Sequence, residues 1–478
     1  MTDPLSADPR GFTGPVPIAR TEEPDDGRRL TSLWDPRVVW VTLGSVSLIF
    51  LSALTSLALT TVMPVVSADL DGDALFALAF SGTLATGVIG MVAAGAWSDR
   101  AGPVAPLSTA VALFVAGLAL DAAAPTMEIL VLGRLISGLG SGAQVVALYV
   151  VVARVYPPEL HGRVMALFSA AWVVPSLVGP FLAGIVTEQL HWRWVFAGLA
   201  ALSVLAFAMV APRLRGLSST SRTRGGRGVG RRLLFAVLVA AAALGLGLTG
   251  EVAESVAPAV GWAVAAAALA VIGVAIRPLL PGRTLRSGPG LPSVILMRGL
   301  IAGALFGAEV YVPYLLLDRF GFSPAWAGLG LTTAAIAWAI SAHVSGRYGD
   351  RMGNTRIAVL GVALLFTAAA ACAITPALSL PAAAPIVMWS LAGFGMGLMY
   401  PRLTVLTLAY SERADEGFNS SALQISDSVG ASATIAVMGL SFTTLAGTGA
   451  GFPVVFGIAA LLALLALAPG LRLGHARE

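Results

Sequence analysis

The stretch GAWSDRAGP, Gly95 to Pro103, ends a long apolar run with an aspartate and an arginine side by side. GRYGDRMGN, Gly346 to Asn354, repeats the same Gly-x-x-x-Asp-Arg-x-Gly spacing 251 residues later. The rest of the chain avoids charge. Only 11% of its residues are charged and 57% are hydrophobic, with a mean hydropathy of +0.86, whereas a soluble domain carries about 25% charged residues. The composition is that of a membrane protein, and the duplicated charged turn implies that one unit is used twice.

Working outward from the two turns, apolar runs near the ~20 residues that cross a hydrocarbon core fall at 39–64, 75–97, 104–122, 127–152, 163–187 and 194–211. Further runs lie at 233–249, 258–276, 292–316, 324–345, 357–376, 383–409, 419–443 and 453–471. The expected fold is therefore an all-α integral membrane protein of fourteen spans, with two six-helix bundles in pseudo-twofold repeat and an inserted two-helix hairpin. Its expected segments are a disordered tail (1–36), a first bundle (37–211), a linker (212–232), the transmembrane hairpin (233–276), a second linker (277–291), a second bundle (292–471) and a short tail (472–478). The charged turn follows the second span of each bundle.

The first 36 residues are polar and Pro-rich with no apolar core, so they read as a disordered cytoplasmic tail and not as a cleaved signal. With that start, only Arg193 and Arg319 fall outside and Arg134, Arg298 and Arg402 fall within spans. The remaining arginines lie on the cytoplasmic side, as the positive-inside rule requires. Both termini are expected in the cytoplasm of a plasma-membrane protein. The net charge of +4 then reports orientation, and no nucleic-acid partner need be invoked.

The chain has no lysine, so it lacks the residue with which a Walker A loop holds phosphate. Cys372 is the single cysteine, and His161, His191, His343 and His475 match no zinc spacing. No metal or cofactor is expected. Outer loops are too short for a catalytic domain, so an enzyme is not expected either.

Several further motifs lie in order along this plan. RLISGLGSG keeps Arg134, Gly138 and Gly140; GPFLAG supplies Gly179, Pro180 and Gly184; WRWVF covers Trp192 to Phe196. Together with the charged turns they resemble the major facilitator superfamily, specifically its 14-helix drug:proton antiporter branch, over about 39–471. The family's cytoplasmic loop motif is matched by Gly95, Asp99, Arg100 and Gly102, although Pro103 and Val104 replace its trailing basic pair. The second copy is Gly346, Asp350, Arg351 and Gly353, and Arg356 recovers a basic residue. Ser137 stands where the fourth-helix motif has glutamine. The first helix has Thr55 where the branch carries an aspartate nine residues before a proline, so acidity there is lost. Ser45, Ser52, Ser56 and Thr60 leave a hydroxyl stripe.

These residues define the candidate sites. The two Asp-Arg turns suit a cytoplasmic latch, since an arginine fork binds carboxylates bidentately. An arginine at a helix centre is costly, so Arg134 is either hydrogen-bonded structurally or faces a cavity for substrate or proton relay. Glu309 and Asp427 are acids inside spans and, if unpartnered, candidate proton carriers. The alternatives are an outer-mouth position for Glu309 and an internal lock between helices for Asp427. Ser420, Gln424 and Ser428 form a polar stripe beside Asp427. Asp121 is expected at the outer interface, and Pro175 with Pro180 is expected to kink the fifth helix.

The expected function is a proton-coupled secondary transporter, an exporter of amphipathic small molecules or drugs that works by alternating access. A metabolite importer or uniporter of the same superfamily is the alternative. Its partners are a small-molecule substrate, protons and membrane lipid, its energy source is the proton gradient, and it is expected to be monomeric.

Overall fold

Hydrocarbon offers no water to backbone N–H and C=O groups, so an apolar chain must satisfy them internally. In a computed structural model, which describes residues 30–71, 75–214, 229–322, 324–378, 380–445 and 448–474, every regular element is accordingly helical. The first stretch contains α1 (Val39–Asp69), α2 (Phe76–Ala101), α3 (Val104–Ala123), α4 (Met127–Val155), α5 (Pro158–Gln189) and α6 (Trp192–Leu214). The insert holds α7 (Val229–Gly247), α8 (Thr249–Ser255) and α9 (Pro258–Ala275), and two short 3-10 turns follow it. The last stretch contains α10 (Leu291–Glu309), α11 (Tyr311–Phe320), α12 (Pro324–Met352), α13 (Asn354–Leu378), α14 (Ala383–Ala409), α15 (Glu416–Thr444) and α16 (Gly451–Gly470). Among the described residues, eleven helical spans are long and apolar enough to cross a membrane. Most of the amino-terminal tail, the centre of the 212–232 linker and the last four residues lie outside the described residues.

The two stretches pack by one scheme. In the first, α1 lies against α5 and α6, α2 against α4, and α3 against α4 and α6. In the last, α10 lies against α15 and α16, α12 against α14, and α13 against α14 and α16. The stretches meet where α2 touches α15 and α5 touches α12. The insert lies along one of these seams, with α7 on α2 and all three of its helices touching α15.

Local chemistry explains the helix ends that matter. Gly102 and Gly353, the last glycines of the two charged turns, sit at φ 79° and 83°. This is the left-handed half of backbone space that glycine enters without steric cost, so each motif glycine stops its helix at the same offset. The span expected at 292–316 is divided at Val310. Pro313 cannot donate to the Glu309 carbonyl four residues back, and its ring crowds that position. By contrast α5 runs unbroken from Pro158 to Gln189, through Pro175 and Pro180.

Candidate cytoplasmic gate and intramembrane polar clusters

At the carboxyl-terminal end of α2, the Asp99 carboxylate accepts the backbone N–H of Gly417 at 2.6 Å and that of Phe418 at 2.9 Å. Those groups open α15, so Asp99 caps a helix of the other stretch. A carboxylate is favoured there because free N–H groups and the positive end of the helix dipole converge on it. Arg154 of α4 reinforces the contact, with Nε 3.3 Å from Glu416 Oε2 and Nη2 donating to the Ser98 carbonyl at 3.4 Å. Gly95 and Gly417 bring α2 and α15 together at a crossing where a side chain on either would meet the other's backbone. On the opposite seam, a Cβ at Gly346 would lie 2.8 Å from the Gly162 carbonyl oxygen. Both seams are thus closed at this end of the helices.

The two copies of the charged turn do different jobs, which their matching sequences did not foretell. Asp350 pairs with Arg402 Nη1 at 2.7 Å, and Arg402 Nε donates to Asn354 Oδ1 at 2.7 Å. Both contacts remain within the last stretch. Asp350 is also 84% exposed, while Arg351 and Arg356 are exposed as well. In this copy the piece that spans the seam is Gly346.

A second cluster lies deeper. Arg298 of α10 donates from Nε to Asp427 Oδ1 at 2.7 Å. Its Nη1 donates to the Tyr400 carbonyl at 3.0 Å and to Thr404 Oγ1 at 3.1 Å. The Tyr400 hydroxyl donates to the other Asp427 oxygen at 2.8 Å, while its ring lies under the guanidinium, 3.1 Å from centroid to Cζ. Asp427 is therefore not an unpartnered acid. It is the internal lock between α10, α14 and α15, and the carrier role expected of it loses its premise. Both carboxylate oxygens are engaged by donors. Trp338 and Phe306 complete an aromatic wall, with ring centroids 5.2 Å and 6.4 Å from Tyr400. Tyr149 of α4 reaches toward Arg298 and Thr404 from the first stretch. Arg298 stood in the sequence as an arginine inside a span; its cost in hydrocarbon was the signal that it needed an acid such as Asp427.

Glu309 ends α10 at the break before Pro313, half-buried, with no hydrogen bond or ion pair among the described residues. It is placed at a discontinuity and not within a continuous helix. Gln424 stands one turn before Asp427, and its buried Oε1 has no partner among the described residues.

Of the two readings open for Arg134 the enclosed, structural one is found, and the interfacial placement expected of Asp121 is corrected. Arg134 is only 2% exposed, and its Nη1 lies 3.8 Å from an oxygen of the fully buried Asp121. The pair is enclosed between α3 and α4, where Gly117 and Gly133 allow close approach. Arg134 does not line the space between the stretches, and Asp121 is not interfacial. The glycines after Arg134 serve contact: Gly138 and Gly142 press on α2, and Gly140 on α3.

On α5, Gly179 is packed against Leu54 and Leu57 of α1, and Gly184 is partly buried; the Pro180 side chain lies outside the described residues. Thr55, in the place of the missing aspartate, is buried and bonds its own helix at the Leu51 carbonyl. Ser52 instead accepts from Gln144 Nε2 at 2.9 Å. Trp192 opens α6 by donating its indole N–H to Asp69 at 2.9 Å.

Comparison with known proteins places these features in a family. The profile described as Major Facilitator Superfamily matches residues 45–434 and 310–477. The probable multidrug-efflux transporter Rv1634 of Mycobacterium tuberculosis is 26% identical over 357 residues, covering 72% of this chain and 75% of that protein. The multidrug transporter protein MdtP of Bacillus subtilis is 23% identical over 408 residues, covering 83% and 74%. Among solved structures, the human organic anion transporter MFSD10 superposes with a TM-score of 0.64 at 17% identity, over 89% of this chain and 99% of that one. A bacterial homologue of the iron transporter ferroportin, in an outward-facing state, gives 0.66 at 14% identity over 92% and 100%.

Proposed function

The chain belongs to the Major Facilitator Superfamily, and we propose that it is a proton-driven exporter of amphipathic small molecules that alternates access between two six-helix bundles. The shared packing scheme of 39–214 and 291–470 supports those bundles as repeats, with the insert as a transmembrane hairpin and fourteen spans in all. The protein works as a monomer in the plasma membrane with both termini in the cytoplasm, and its energy source is the proton gradient, worth about 2.3 kcal/mol per charge per 100 mV. The closed cytoplasmic seams fit the outward-facing arm of the cycle. The efflux names of its relatives favour export.

The observation that carries proton coupling is Glu309, an acid in an apolar span with no protein partner among the described residues. Such a group binds a proton when desolvated and releases it where water or a cation can reach it. Asp427, held by Arg298 and Tyr400, serves instead to fix α10, α14 and α15 around the aromatic wall. Neutral replacement at Glu309 mimics a permanently loaded carrier. In proteoliposomes, Glu309→Gln therefore abolishes gradient-driven accumulation yet preserves substrate exchange at equal pH, because exchange needs alternating access without net proton movement. Asp427→Asn lowers both. If Glu309→Gln still pumps uphill, the carrier assignment is wrong; if only Asp427→Asn separates pumping from exchange, the role moves to α15.

A further inference from the structure

The insert between the bundles has no part in the mechanism so far, yet it lies on the seam that Asp99 closes. Arg232, in the first turn of α7, places its guanidinium 4.2 Å from the centroid of the Phe418 ring. Phe418 is also the residue whose backbone N–H donates to Asp99. The opening of α15 is thus gripped twice at one residue, through its main chain by α2 and through its ring by α7. Val92 and Ala96 of α2, Leu279 of the following 3-10 turn and Ser421 of α15 line the same crevice around Arg232 and Phe418. The ring is the partner the guanidinium has among the described residues.

We propose that Arg232 is a positioning residue of the cytoplasmic gate, and that the α7–α9 hairpin acts through it as a brace holding the opening of α15 in register with Asp99. The proposal rests on the alternating-access reading. When the cytoplasmic side opens, α15 must leave α2, and because α7 is packed on α2, Phe418 gives up its contact with Arg232 together with its contact with Asp99. The hairpin therefore favours the closed seam without touching substrate. Its arginine suits this role: a flat guanidinium stacks on a ring and keeps its charge in the interfacial region, and it releases the ring without leaving an unpaired buried charge.

The test uses the full chain in nanodiscs with Cys372→Ala and spin labels on cysteines at Ala105 and Ala414, exposed positions on either side of the seam. Arg232→Ala should raise the ratio of cytoplasm-open to cytoplasm-closed distances about two- to fivefold, the range of an exposed cation–π contact. Phe418→Leu should do the same, the double variant no more than either single one, and Arg232→Lys should fall between wild type and Arg232→Ala. A residue that merely supported the fold would lower thermal stability and leave this graded order absent. An unchanged distribution in Arg232→Ala, or effects that multiply in the double variant, overturns the brace. Asp99→Asn, measured alongside, separates the two levels: if it opens the seam and Arg232→Ala does not, only the brace fails. If neither variant moves the distances, the gate itself fails and the brace with it.

Discussion

Replacing Asp99 by asparagine tests the gate most directly, because the change keeps size and removes charge and one acceptor. The carboxylate accepts two backbone N–H groups, from Gly417 and Phe418, at 2.6 and 2.9 Å. Asparagine offers one oxygen, so its amide N–H₂ must face one of the two donors. A hydrogen bond to a charged group contributes about 1.5 to 3 kcal/mol, and a charge at a helix N-terminus adds about 0.3 to 1 kcal/mol. Because Asp99 is only half-buried, values near the lower end apply, for a loss of about 2 to 3 kcal/mol. That corresponds to a roughly 30- to 150-fold shift toward the cytoplasm-open state, since 1.4 kcal/mol is a factor of ten. The spin-label pair at Ala105 and Ala414 reads it as a new long-distance population, while thermal unfolding in detergent should change little. A distribution that matches wild type, together with wild-type turnover, would refute the gate.

The second copy of the turn predicts the opposite. Asp350→Asn should change the same distances by less than about 1 kcal/mol equivalent, the range of an exposed ion pair, because its carboxylate is largely solvated and pairs within one bundle. Arg298→Ala leaves Asp427 without its cation and should destabilise the protein by about 3 to 5 kcal/mol, read as a lower unfolding temperature; the Arg298→Ala, Asp427→Ala double variant should lose less than the two single losses combined. Gly417→Leu places a side chain against the α2 backbone and should leave the cytoplasmic side open to an impermeant thiol reagent that reaches a cysteine at Ser421. Single cysteines at Ser219 and Thr448, in a Cys372→Ala background, should label from opposite faces of the membrane. Labelling of both from outside intact cells contradicts the fourteen-span topology.

Much of the fold was legible in order along the chain. Apolar runs of spanning length dictate helices, because hydrocarbon permits few other solutions for a backbone, and the charged turn repeated after 251 residues falls at the matching ends of α2 and α12. In both copies the last motif glycine, Gly102 or Gly353, ends its helix at a positive φ. What the sequence could not supply was which helix each polar side chain faces. Identical Asp-Arg spacings led to different partners: Asp99 reaches a helix start across the seam, whereas Asp350 stays within the last stretch of helices. Asp427 and Glu309 read alike as acids in apolar runs, and only packing gave one an arginine from α10 and left the other at a proline-induced break. Arg134 and Asp121 stand thirteen residues apart on successive helices, and Gly117 with Gly133 lets those helices close around the pair. Periodicity fixes the face a residue takes on its own helix, but its partner depends on how helices distant in the chain are set against one another, and contacts such as Asp99 with Gly417 or Arg232 with Phe418 exist only once α2, α7 and α15 are packed together.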